Sequence, residues 1–176
     1  MKKSRALVIA VAAIMIAVTA VFTMLVRVPI PATEGYFNFS DVAIYFASFA
    51  FGPWVGLVAG GIGAGMTDLM GGYAQWAILT FLAHGLEGLA AGALGRGKGL
   101  PGLILAWLVG TVVMVGIYFL GEGLVLTGWG PALIEVPINL LQSAVGGLIG
   151  IPLYYAVRKA YPAITRMGQK PEWHEE

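Results

Sequence analysis

Gly35–Glu87 reads GYFNFSDVAIYFASFAFGPWVGLVAGGIGAGMTDLMGGYAQWAILTFLAHGLE, and it decides the fold. Three apolar runs follow one another here. Asp41 opens the first, Asp68 closes the second, and His84 and Glu87 lie well inside the third. Ionisable groups at membrane depth are costly, so they face a bundle interior or a cavity. The rest of the chain is expected to hold these groups in a bilayer and present them to something.

Composition agrees. Of 176 residues 59% are apolar and 11% charged, with a mean hydropathy of +0.84; a soluble domain carries about 25% charged residues. The net charge of +1 and the lack of a basic patch with interleaved aromatics leave no case for a nucleic-acid partner. With no cysteine, disulfides, thiolate metal sites and a Cys nucleophile are excluded. Many of the 26 glycines lie inside apolar runs, where small residues let helices approach closely.

Outward from the central stretch, six spans are expected. Helix 1, about Arg5–Val26, follows Lys2, Lys3 and Arg5; its apolar run has a spanning length, longer than the core of a signal peptide. Ala6, Ala10, Ala13 and Ala17 share one face of it, a smooth stripe for another helix, either of this chain or of a separate subunit. Arg27–Phe39 is a Pro-broken loop, a crossing or a lid. Helix 2 is short, about Ser40–Phe51, with Ser40 or Asp41 as N-cap. Helices 3 and 4 run about Trp54–Met70 and Ala74–Leu94. Helix 5, about Leu100–Leu120, carries no inward polar group of note. A Gly-rich loop, Gly121–Gly130, leads to helix 6, about Pro131–Val157. Residues 1–157 thus form the membrane domain, and residues 158–176 a charged cytoplasmic tail.

Charge orients the spans. With both termini inside, nine of the ten Lys and Arg residues fall on the inner side and only Arg27 outside, as the positive-inside rule requires. Asn38, Asp41, Asp68, Tyr73 and Trp76 then lie near the outer face, with Thr80, Asn139 and Gln142 deeper and His84 and Glu87 deeper still. Trp76, Thr80, His84 and Glu87 recur at helical spacing, as do Glu135, Asn139 and Gln142. Two polar stripes among aromatic residues suggest a small-molecule pocket open to the outside.

Plainer roles compete. Asp41 serves equally well as a helix cap, His84 and Glu87 as a pair bonded across helices, and the helix 6 stripe as a seam between helices. His84 and Glu87 alone supply at most two metal ligands, so no metal site is expected. No catalytic constellation is present, and without a Walker motif the chain does not hydrolyse ATP. A structural or assembly subunit is the alternative to a binding protein. An intramembrane enzyme using His84 and Glu87 is the weakest reading.

The blocks GYFNFSD at Gly35–Asp41, AFGPWVGLVAGGIGAGMTDLMGGY, LTFLAHGLEGLAAG and PINLLQSAVGGLIGIPLYYAV resemble, in order, substrate-binding S components of energy-coupling factor (ECF) transporters. The resemblance covers nearly the whole chain, from Arg5 to about Val157. It implies a multi-pass protein of a prokaryotic cell membrane that captures a vitamin or precursor without a cofactor. It further implies a transmembrane coupling subunit, docked on Ala6, Ala10, Ala13 and Ala17, and two cytoplasmic ATPases. Arg27–Phe39 becomes the lid over the substrate. The substrate residues implied with the polar stripes are Tyr36, Asn38, Asp41, Asp68, Tyr73, Trp76, Thr80, His84, Glu87, Asn139 and Gln142. His84 stands where riboflavin- or pyrimidine-type relatives carry a lysine, exchanging a fixed charge for a titratable ring. A riboflavin-, pyrimidine- or pyridoxine-like heterocycle fits, with Tyr36, Tyr73 and Trp76 available for stacking.

Overall fold

The computed structural model describes residues 2–167. Among them are six α-helices: α1 (Lys2–Leu25), α2 (Ser40–Phe51), α3 (Pro53–Gly71), α4 (Ala77–Gly95), α5 (Leu100–Gly121) and α6 (Trp129–Ala160). Their ends fall within three residues of the sequence expectation. By length and composition four segments can cross a membrane: Arg5–Leu25, Ala77–Gly95, Leu100–Leu126 and Trp129–Ala160.

α2 is the axis. A helix apolar on all sides belongs in a core, and every residue of α2 except Phe46 is buried. α3 and α4 pack on one side of it and α6 on the other. Phe49, Leu103, Ala106 and Tyr154 fill the core at one end of the bundle, and Trp76, Ala83, Met114 and Tyr118 fill it at the other.

Glycine sets the closest approach. A Cβ on Gly60 would collide with the His84 carbonyl, and one on Gly146 with the side chain of Asp41. These two positions draw α3 onto α4 and α6 onto α2 at the buried ionisable groups.

Four features depart from the sequence expectation. The loop after α1 contains a hairpin, β1 (Val28–Ile30) and β2 (Gly35–Phe37), with Val28 opposite Phe37 and Ile30 opposite Gly35. α2 has Phe39 at its N-cap position with no side-chain cap bond; the Ser40 N–H is taken by Asn38 Oδ1 at 2.7 Å. Asp41 is therefore not a cap, and its carboxyl is free for other partners. The expected loop after α5 begins as a π-helical turn, Glu122–Leu126, a form that recurs at functional sites. Finally, α6 runs past Val157 to Ala160, and Ile164 in the following turn joins the core. The remainder of the expected tail, residues 168–176, lies outside the described residues.

Gly60→Val tests the packing argument. Forcing a branched side chain against the α4 backbone costs about 1–3 kcal/mol, so thermal unfolding in detergent shifts down. Gly99→Ala, where nothing lies within 4 Å, leaves the transition in place. Equal transitions for both variants would contradict the close approach.

Candidate functional site: a polar cavity above a buried acid cluster

The helices open into a cavity of about 380 Å³, counting its mouth. α3 supplies Asp68, α5 Tyr118, and α6 Glu135, Asn139 and Gln142; Trp76 and Thr80 come from the start of α4. Gly35, Tyr36 and Asn38 form the wall on the hairpin side.

The hairpin is fastened by polar groups that also line the cavity. Thr33 Oγ1 donates to Glu135 Oε1 at 2.5 Å and accepts from the Gly35 N–H at 3.2 Å. Tyr36 donates its hydroxyl to Asp68 Oδ1 at 2.5 Å. Burial, with the Asp68 charge adding to it, pushes the Tyr36 hydroxyl well above its ordinary range, so it stays a donor. The Asn38 backbone N–H donates to Gln142 Oε1 at 2.9 Å. Arg27 lies over the Tyr36 ring at 4.9 Å and bonds the Thr67 carbonyl at 3.0 Å, locking the hairpin's base to α3.

Seven of the eleven expected substrate residues line this cavity: Tyr36, Asn38, Asp68, Trp76, Thr80, Asn139 and Gln142. Tyr73 stands behind the wall, its ring 4.6 Å from that of Tyr36. Asp41, His84 and Glu87 do not line it. They are buried together about one helical turn further in, with His84 Nδ1 2.8 Å from Glu87 Oε2 and 3.5 Å from Asp41 Oδ1. Gln142 belongs to both groups, because its Nε2 donates to Asp41 Oδ1 at 3.1 Å. Below that, Tyr45, Thr111 and Ser143 share a buried hydroxyl network.

Sequence reading left Thr33 and Tyr118 out of the site, named Glu135 only as a member of the α6 stripe, and put Glu122 in the Gly121–Gly130 loop near the outer surface. Tyr118 corrects the expectation for helix 5: it is buried and donates to Thr80 Oγ1 at 3.0 Å. Glu135 was visible in the α6 stripe. Glu122 is fully buried in the π-helical turn, not placed on an outer loop. Among the residues that line the cavity, two buried atoms have no partner within the described structure, the Trp76 Nε1 donor and the Asp68 Oδ2 acceptor. Buried polar atoms are otherwise nearly always paired, so the lining offers a ligand one unmet donor and one unmet acceptor.

The alanine stripe of α1 has a clear position. Ala6, Ala10, Ala13 and Ala17 are all exposed, while Val11, Met15, Thr19 and Thr23 turn inward. The stripe does not serve packing within this chain.

A polar cavity at one end of an apolar helical bundle, walled by a fastened hairpin, is the build of a membrane-embedded small-molecule binding protein. Comparison with known proteins narrows the class. The family model for the ECF-type riboflavin transporter S component matches residues 3–159, and the chain belongs to that family. It is similar to the thiamine precursor transporter HmpT of Lactococcus lactis subsp. cremoris (strain MG1363), 37% identical over 135 residues, which are 76% of this chain and 77% of HmpT. It is also similar to an uncharacterized protein in a gap 3'region of Pyrococcus woesei, 40% identical over 140 residues, 79% of this chain and 93% of that protein. The protein is thus an ECF S component, a component of transport in a membrane.

Thr33→Val tests the fastening. It strands the Glu135 oxygen and the Gly35 N–H, a loss of about 1–3 kcal/mol for each buried group left unpaired. Amide hydrogen exchange across Gly35–Phe37 should rise at least about tenfold. Unchanged exchange would mean that the Thr33 bonds do not hold the hairpin.

Proposed function

We propose that this S component captures a single-ring, water-soluble vitamin or vitamin precursor, of pyrimidine or pyridoxine type, from outside the cell. A transmembrane coupling subunit and two cytoplasmic ATPases then drive its uptake. Six spans with both termini inside put the cavity at the outer face, and the charge bias of the sequence supports that topology. The hairpin acts as the lid: it touches the cavity through Tyr36 and Asn38, and the bonds that fasten it end on cavity groups.

One observation carries the choice of substrate. The cavity is narrow and its lining mostly polar, with Asp68, Thr80, Tyr118, Glu135, Asn139 and Gln142 converging on it. A single ring with polar substituents suits it better than a three-ring flavin with its polyol chain. Asp68 and Glu135 favour a neutral or cationic ligand rich in donors. Trp76 and Tyr118, with ring centroids 6.3 Å apart, offer faces or edges to a heterocycle. The naming of HmpT as a thiamine precursor transporter supports a small substrate. Tyr36, Asn38, Asp68, Trp76, Thr80, Asn139 and Gln142 are assigned to contact it. Tyr73 braces Tyr36, and Asp41, His84 and Glu87 support the floor through Gln142.

Titration of the purified protein with an aminopyrimidine, pyridoxine, thiamine and riboflavin, followed by tryptophan fluorescence, tests the choice. A single-ring compound should bind at least about 100-fold more tightly than riboflavin; the reverse order would overturn it. Asp68→Asn should weaken that binding about 10- to 100-fold, the value of a hydrogen bond to a charged group. Unchanged affinity would remove Asp68 from the site.

The exposed α1 stripe is assigned to the coupling subunit. Ala13→Trp should abolish complex formation while leaving ligand affinity unchanged. Loss of both together would indicate packing within this chain.

A further inference from the structure

Beneath the cavity floor, Asp41 from α2 and His84 and Glu87 from α4 bring together one nitrogen and two carboxylate oxygens, all within 4.8 Å of one another. All three side chains are buried to 1% exposure or less. Sequence spacing shows only the His84–Glu87 pair, which lies on one face of α4. The third group comes from more than forty residues earlier and is set in place by the contact between Gly146 and Asp41.

The donor and acceptor inventory leaves oxygen atoms of both acids unmatched. Gln142 Nε2 donates to Asp41 Oδ1 at 3.1 Å and lies 3.5 Å from His84 Nε2. That makes Nε2 an acceptor and puts the imidazole proton on Nδ1, toward Glu87 Oε2 at 2.8 Å. The imidazole is then neutral and faces two acids. Each acid also holds an oxygen without a hydrogen bond of ordinary geometry, Asp41 Oδ2 and Glu87 Oε1, although the Tyr45 hydroxyl also interacts with Glu87. In their ionised forms the two acids would balance one divalent cation, with the imidazole as a neutral third ligand.

The distances suit one. Two ligands of a tetrahedral ion bound at 2.0–2.1 Å stand about 3.3 Å apart, and the separations from His84 Nδ1, 2.8 and 3.5 Å, bracket that value. A donor set of one imidazole and two carboxylates is a Zn²⁺-type set. Outer support is present as well, since Ser40 Oγ donates to Asp41 Oδ1. We propose that Asp41, His84 and Glu87 form a binding site for a divalent transition-metal cation of the Zn²⁺ class beneath the substrate cavity. The site is distinct from the substrate contacts and independent of which heterocycle the cavity takes.

The same inventory links the site to the hairpin. A cation on His84 Nδ1 displaces its proton, so Nε2 carries the hydrogen and needs an acceptor. Gln142 can supply one by turning its oxygen toward His84. The Asn38 N–H, which that oxygen now accepts from at 2.9 Å, then loses its partner. Cation loading is felt at the hairpin through this one amide.

The test uses the full chain, purified in detergent, treated with a chelator and titrated with Zn²⁺ alone by calorimetry and with Co²⁺ alone by visible absorption. One Zn²⁺ per chain is expected, with intense Co²⁺ d–d bands of a four-coordinate site. Asp41→Asn and Glu87→Gln should each weaken Zn²⁺ binding more than tenfold, while His174→Gln, in the C-terminal segment, should leave it unchanged. Absence of stoichiometric Zn²⁺ binding, or Co²⁺ bands of the weak six-coordinate kind, would overturn the site. So would wild-type affinity in both acid variants, or loss of binding in His174→Gln. Should an acid variant fail to fold, the wild-type Co²⁺ spectrum decides alone.

Discussion

The structure depends on keeping carboxyl groups inside an apolar bundle. Of the six acidic residues described, five are buried: Asp41, Asp68, Glu87, Glu122 and Glu135. Burying a lone ion costs several kcal/mol even after relaxation, so each acid dictates what must stand beside it. Asp68 requires Tyr36, which brings the hairpin down. Glu135 requires Thr33, which fixes the hairpin's turn. Asp41 requires Gln142, which also holds Asn38. The wall of the cavity is a consequence of satisfying these acids.

The hydrophobic part of the design serves the same end. α2 is short and nearly all buried, and glycines on α3 and α6 let neighbouring backbones come close enough to enclose Asp41, His84 and Glu87. Exposed apolar residues such as Ile78, Val112 and Leu148 face outward from the bundle, as a lipid-facing surface requires. The α1 alanine stripe is the smooth exception on that surface. On the proposed reading, binding at one end, docking along one helix and apolar contact elsewhere divide the molecule by function.

Much of this was legible in the chain. Apolar run lengths and Gly-Pro breaks located the helices, and the spacing of Trp76, Thr80, His84 and Glu87 showed which face of α4 turns inward. Local pattern could not separate two levels within that face: Trp76 and Thr80 reach the cavity, whereas His84 and Glu87 sit below it. Tyr118 was hidden because one tyrosine near the end of an apolar run also suits an interfacial anchor. Thr33 belongs to a loop, where no periodicity points inward. Glu122 follows a glycine that would ordinarily end the helix, yet the chain winds on in a π-turn. Asp41 looked like a cap because its position suits one; only the side-chain bonds of Asn38 and Gln142 show otherwise.

The most direct test of the proposed outward-facing capture site is mass spectrometry of small molecules released from the purified, detergent-solubilised protein. One polar single-ring heterocycle per chain is the expected result, lost in Asp68→Asn. A protein that is folded, carries no small molecule and takes up none from a vitamin panel would contradict the capture site and favour a structural subunit.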